Sequence, residues 1–249
     1  EPGLCESKMG GTPYLPHDIS WPVDKAGTPM TLLAQVDCAS LTGMTDFPQT
    51  GLLQFFIALD ETFGADFDDI TKPDGFCVLY HETADPSVTA EEVQAKRPPL
   101  SEEAEKEREY YTPVGSVCRI LFGTAGTQSL KEGDYRFEKL FCEKWNAARP
   151  EKPIQRIWDI SGLWGELWDD DSDDEPHHQM GGYPFFTQSD PREGGTHQEL
   201  DVLLFQLDSD YDDEDLILWG DCGVANFFIS REDLKKRDFS KTGYNWDCC

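Results

Sequence analysis

The chain has 249 residues, of which 38% are hydrophobic and 12% aromatic; that is too apolar for a disordered chain and enough for a sizeable core in one large domain or two ordinary ones. Its formal net charge of −28 disfavours nucleic acid and anionic membranes as partners, because a negative field repels both. No apolar run approaches the ~18 residues that cross a bilayer, and no signal-peptide pattern is visible.

In chain order, Met9-Gly10-Gly11-Thr12-Pro13-Tyr14-Leu15 sets glycines, which accept positive φ, ahead of a proline that fixes φ, and predicts a turn leading into a sheet. Residues 32–37 alternate, with Leu32, Ala34 and Val36 to one side and Leu33, Gln35 and Asp37 to the other, as in a half-buried strand. Residues 51–57 pattern likewise and carry Gln54. Residues 76–81 and 117–122 are rich in β-branched and aromatic side chains and read as further strands. Residues 98–111, with Ser101 as N-cap before a run of charges, predict a surface helix. Residues 136–145 carry Phe137, Leu140, Phe141 and Trp145 at helical spacing, a stripe that packs on a core rather than a cofactor.

Residues 169–176 contain no apolar side chain and predict an exposed acidic loop. After it the sequence repeats itself. Met180-Gly181-Gly182-Tyr183-Pro184-Phe185-Phe186 follows the first Gly-Gly-x-Pro turn at an offset of 171, as 203–208 follows 32–37; 223–229 follows 51–57 at 172. Ordered matches at one long offset mean a duplication. They predict an α+β fold of two pseudo-repeats, each an antiparallel sheet with flanking helices, packed as one unit. Residues 1–168 form the first repeat with inserted helices, and 169–249 a shorter second. Beyond the last repeated strand, 232–234 predict a short helix and 244–246 a packed segment.

The eight cysteines are Cys5, Cys38, Cys77, Cys118, Cys142, Cys222, Cys248 and Cys249, with no Cys-x-x-Cys; they imply mostly buried thiols in a reducing cytosol. The adjacent Cys248-Cys249 pair is read as a tail, since neighbouring cysteines bridge only with strain. Between residues 157 and 230 the one basic residue is Arg192, against 19 carboxylates, a net of −18. Such a field steers cationic partners or binds divalent metal, or serves solubility.

Carboxylates alternate at Asp208, Asp210 and Asp212, which suits a hard cation. The EF-hand pattern fails, with Asp213 and Trp219 where a Gly and a Glu are needed. Of the adjacent His177 and His178, one at most can join a given site, so His177 with Asp208, Asp210 and Asp212 is a weak metal set and no metal is assigned. Gln35 with Asp37 and Gln206 with Asp208 share strand faces, with Gln54 and Asn226 across from them. These two polar patches are placed at the interface between the halves as a candidate small-molecule site, with Trp219 and Asp221 at its edge; the plainer reading is the polar outer face of a sheet.

Nucleophilic catalysis finds no Gly-x-Ser-x-Gly, and Cys77 and His81 on one strand stand about 13 Å apart. Gly-Gly-x-Pro lacks the Lys and helix of a phosphate loop. No cofactor is implied. The sequence favours a non-catalytic acidic protein that engages a basic protein partner; the alternative is a metal- or small-molecule-binding protein or enzyme using Gln206, Asp208, Asp210 and Asp221.

The repeated motifs also carry a resemblance. Gly10-Gly11-x-Pro13-Tyr14-Leu15-Pro16, Trp21-Pro22, 33–37 and 51–57, then Gly182-Tyr183-Pro184-x-Phe186-x-Gln188-x-Asp190-Pro191-Arg192, 204–210 and Trp219-Gly220-Asp221-x-Gly223 are similar in order and spacing to the YwqG-like family of bacterial proteins. The resemblance spans nearly the whole chain. It implies an α+β fold and a cytoplasmic bacterial protein, with a helical segment before the first Gly-Gly-x-Pro in relatives. It supplies no mechanism, and some members of that family sit in toxin–immunity settings.

Overall fold

The duplicated segments fold into two hairpins of the same register. In a computed structural model, which describes residues 1–123, 130–163, 178–210 and 216–249, β1 (Lys8–Met9), β2 (Thr31–Asp37), β3 (Leu52–Ile57), β4 (Phe76–His81) and β5 (Cys118–Arg119) form one sheet, in the order β4-β3-β2-β1-β5. A second sheet holds β6 (Val202–Asp208), β7 (Val224–Ile229) and β8 (Gly243–Asp247) in the order β6-β7-β8. Every pairing between these strands is antiparallel. The four α-helices of the described residues are α1 (Ala90–Ala95), α2 (Glu102–Tyr110), α3 (Phe137–Ala148) and α4 (Arg231–Lys236). Mixed α+β architecture with two antiparallel sheets is thus what the repeat predicted.

The two hairpins match down to an irregularity. Gln35 faces Gln54 in the first and Gln206 faces Asn226 in the second, and in each the pairing slips by one residue, between Leu32 and Ala34 and between Leu203 and Phe205. The isolated bridge Gln179↔Gln206 repeats the β1–β2 pair Lys8↔Gln35. Gly51 and Gly223 occupy equivalent places at the foot of the central strands. A Cβ there would stand 2.2 Å from the carbonyl oxygen of His81 or Asp247 respectively, so no side chain fits; Gly51 also has φ +83°.

That slip corrects the strand faces read from the sequence. The extra residue turns Leu33 to the same side as Ala34 and Val36, and Leu32 to the other, as a bulge does. The inner faces of the two sheets meet. Phe55 stacks on Phe205 with ring centroids 4.7 Å apart and lies 4.9 Å from Phe227, and Phe76 lies 5.3 Å from Tyr244. The outer faces are covered as well. Tyr14, Leu15, Trp21 and Met30 pack over Leu32, Leu52 and Phe56, with Val88 and Val93 of the α1 region, while Phe186, Leu200 and Ile70 pack over Leu203 and Phe228. Every residue of β3, β6 and β7 is therefore buried, and the expected polar outer face does not exist.

Segments of the first half complete the second sheet's surroundings. The Trp246 indole donates to the Thr62 carbonyl at 2.6 Å and the Tyr244 hydroxyl to the Phe63 carbonyl at 3.0 Å. Val114 bridges Ile217, with Leu218 N donating to the Pro113 carbonyl at 2.8 Å.

Helix α2 begins at Ser101, whose hydroxyl accepts from Ala104 N at 3.2 Å, and α4 begins at Ser230. Along α3 the rings of Phe137, Phe141 and Trp145 follow one another at 5.8 and 6.1 Å. The chain returns along this helix, where the Asn146 side chain exchanges two hydrogen bonds with the Ile154 backbone, and Cys142, Trp145, Ile154 and Ile157 close a small separate core. Two expectations are corrected. The strand over 117–122 contracts to Cys118–Arg119 at the sheet edge, and 244–246 belong to a full strand, β8. The boundary near residue 169 and the acidic loop lie outside the described residues. All eight cysteines are free thiols, with Cys38 and Cys142 buried, Cys249 exposed and the other five half-buried, so burial is less general than the sequence suggested.

Candidate functional site

The polar residues singled out from the sequence do not converge. Gln35 and Gln54 lie on the outer face of one sheet and Gln206 and Asn226 on the outer face of the other, with the aromatic interface between them. Each pair clamps the backbone of its own Gly-Gly-x-Pro segment. Gln35 Oε1 accepts from Tyr14 N at 2.9 Å and from Gln54 Nε2 at 2.7 Å, and Gln54 Nε2 also donates to the Tyr14 carbonyl at 2.7 Å. In the second half Gln206 Oε1 accepts from Phe185 N at 2.7 Å and Asn226 Nδ2 donates to the Phe185 carbonyl at 2.9 Å. Tyr14 and Phe185 are themselves 171 residues apart, so the duplication preserved the clamp.

Asp37 caps a 3-10 turn, accepting from Ala39 N at 3.1 Å. Asp208 accepts from Ser209 N at 2.9 Å, while its own N–H donates to His178 Nδ1 at 3.1 Å, and His178 Nε2 stands 3.7 Å from Asp210. Trp219, expected at a site's edge, is wholly buried, edge-on to Phe63 at 5.4 Å. Asp221 is exposed beside Cys222. Asp212 and His177 fall outside the described residues. Among those described, no three His, Cys, Asp or Glu side chains gather as metal ligands would.

One feature of the first clamp titrates. His81 Nε2–H donates to Gln54 Oε1 at 3.1 Å, and burial pulls this imidazole below its ordinary value of 6.5. The folded protein thus holds fewer protons here than the unfolded chain, and stability falls as pH drops from 6.5 toward the lowered value. Urea unfolding at pH 7.5 and 5.5 should show a larger loss for the parent than for His81→Gln, which keeps a donor but does not titrate. Equal losses would assign the pH dependence elsewhere.

A different constellation forms where α3, the turn at Ile157–Leu163 and the loop after Pro191 come together. Two Asp-x-Arg triplets interlock. Arg136 Nε donates to Asp134 Oδ1 at 2.7 Å and Arg192 Nε to Asp190 Oδ1 at 2.8 Å, each with its backbone N–H on the same oxygen at 2.9 Å. Tyr135 N donates to Asp190 Oδ2 at 3.1 Å, and Arg192 Nη2 lies 3.8 Å from Asp134 Oδ2. Arg192 is 0% exposed, held between the rings of Phe228 at 4.1 Å and Tyr135 at 4.9 Å. Its guanidinium donates to the Leu200 carbonyl at 3.0 Å, and Arg136 to that of Asp201 at 3.3 Å, which fixes the entry into β6. Burial by itself lowers the Arg136 pKa, and the hydrogen bond and charge of Asp134 outweigh it and raise the group above its usual value.

Against this network lies a cavity of about 730 Å³, open to solvent, with Glu132, Glu138, Glu193, Tyr135, Phe137 and Trp158 among its walls. Asp134, also in the lining, is paired with Arg136; the other three carboxylates are on exposed residues, and among the described residues no Lys, Arg or His lines the cavity. Trp158 is 68% exposed. Glu138 also accepts from Ile157 N at 3.3 Å, tying the two walls together. The volume falls within the ~300–1,000 Å³ of ligand pockets, and the lining is one that attracts a cation and offers it an aromatic ring. Sequence reasoning missed this site because its walls come from three separated segments. The signals it offered were the two Asp-x-Arg triplets and the isolation of Arg192 among carboxylates.

Comparison with curated proteins found no match. The model of the family described as a domain of unknown function, DUF1963, matches residues 7–248, a span that takes in both Gly-Gly-x-Pro turns, both hairpins and every wall of the cavity; the chain belongs to that family.

Proposed function

We propose that this is a non-catalytic acidic binding protein that engages a basic protein partner, as an immunity protein or inhibitor engages its target. The observation that carries the reading is the charge: −28 over the chain and −18 between residues 157 and 230. This segment also contributes Ile157, Trp158, Glu193, Gly194 and Gln198 to a cavity with acidic walls. A field of that sign speeds encounter with cationic surfaces and rejects anionic ones. The resemblance to YwqG-like proteins supports a setting in the bacterial cytoplasm, where basic effectors would be met. Among the described residues no helix is long and apolar enough to cross a membrane.

The test is capture of partners on the immobilised protein from its source lysate at low and moderate salt, followed by titration with the purified partner. The expected result is a basic protein whose affinity falls steeply with salt, since exposed charges are screened over about 10 Å at 0.1 M. A neutral partner bound equally well at both salt concentrations would overturn the reading.

A further inference from the structure

We propose that the cavity between α3, the Ile157–Leu163 turn and the loop after Pro191 receives an arginine side chain, presented on a segment of the basic protein partner. The inference rests on the partner-binding reading above and names the chemical group that the site takes. Three arguments support it. First, the charge of the described walls has one sign: Glu132, Glu138 and Glu193 line the cavity and, among the described residues, no basic one does. A cation entering there meets carboxylates from two different segments, 132–138 and 193, as a guanidinium fork is suited to do.

Second, Trp158 presents its ring at the same cavity and is 68% exposed. A planar guanidinium stacks on such a ring while its N–H groups, in its own plane parallel to the ring, stay directed outward to carboxylates, which a lysine ammonium cannot do. The molecule already uses that device beside the cavity. Arg192 is forked onto Asp190 while lying over Phe228 and Tyr135, and Arg136 is forked onto Asp134 while lying over Tyr183 at 5.0 Å. Third, about 730 Å³ exceeds what a bare ion or one side chain fills, and leaves room for the backbone on either side of the arginine.

The experiment follows the indole N–H resonances of the seven tryptophans in ¹⁵N-labelled protein, with Trp158 assigned through Trp158→Phe. The probes are acetyl-Gly-Arg-Gly-amide and the same peptide with lysine or with citrulline, the uncharged isostere of arginine. The arginine peptide should move the Trp158 resonance saturably, the lysine peptide should bind more weakly, and the citrulline peptide should bind at least about tenfold more weakly than arginine. In Glu132→Gln/Glu138→Gln/Glu193→Gln the response to arginine should fall by a similar factor. Glutamine at 138 retains an acceptor for Ile157 N, and unchanged resonances of the other indoles report an intact fold. Equal binding of citrulline and arginine, an undiminished response in the triple variant, or a Trp158 resonance that does not move would each overturn the inference. The partner provides the separating measurement. If the triple variant binds the basic partner with parental affinity and salt dependence, the arginine site is wrong and the reading of function stands; if the arginine peptide binds as expected while no basic protein does, the site stands without that reading.

Discussion

Arg192→Ala should destabilise the protein by about 3–5 kcal/mol, because it strands a carboxylate in a dry site. At this chain length the loss corresponds to a fall in Tm on the order of 10 °C. Asp190 is 2% exposed and Asp134 is 2% exposed, and both are held by guanidiniums. Taking Arg192 away leaves Asp190 facing the Tyr135 N–H and its own loop, frees the Leu200 carbonyl, and opens a gap between Phe228 and Tyr135. Removing both charges is a different matter. Asp190→Asn with Arg192→Met leaves no uncompensated ion, so the double variant should lose less than the sum of the singles. Urea unfolding of the parent, Asp190→Asn, Arg192→Met and the double variant measures the coupling, and additive losses would mean that Asp190 and Arg192 do not act as a pair.

Phe55→Ala should cost about 3–5 kcal/mol by emptying the centre of the interface between the sheets. Its ring contacts Phe205 and Phe227 of the other half, so the cavity would be walled by both sheets and neither can relax into it alone. Phe227, the residue equivalent to Phe55 at the offset of 172, lies 4.5 Å from Tyr244 and 4.9 Å from Phe55, and Phe227→Ala should cost a similar amount. Because the two sheets share one core, each variant should still unfold in a single transition at a lower urea midpoint. Two transitions, with Phe55→Ala moving one of them, would mean that the halves fold independently.

Most of the fold was legible because duplication writes the same structural problem twice. The turn glycines, the strand cores and the amides at 35, 54, 206 and 226 recur at nearly one offset, and recurrence marks them as parts of one design whatever their local propensity. What the repeat did not reveal was the slip at Leu33 and Leu204, because a bulge is a property of two paired strands and leaves no mark in one. With the slip unseen, the glutamines looked like the polar side of a half-buried sheet. In the folded protein they are wholly buried, each bonded to the backbone that crosses above it. The candidate site was scarcely legible at all. Glu132 and Trp158 lie in a segment that has no counterpart in the second repeat and meet Glu193 of that repeat only on folding, so no internal comparison pointed to the site. The aromatic spacing of Phe137, Phe141 and Trp145 correctly announced a packed helix, but not that Phe137 would also face a cavity.

The contact between Trp246 and Thr62 spans 184 residues of chain, and this sets an order of events during synthesis. The inner face of the strands β2, β3 and β4 is complete in sequence once residue 81 has been made, yet the surfaces that cover it arrive with 202–208, 224–229 and 243–247. A ribosome adding about 5–20 residues per second needs roughly 10–30 s to travel that distance. For that time the nascent chain carries Phe55, Ile57 and Phe76 with nothing from its own second half to shield them, and the early Asp and Glu residues are its defence against sticking to its neighbours.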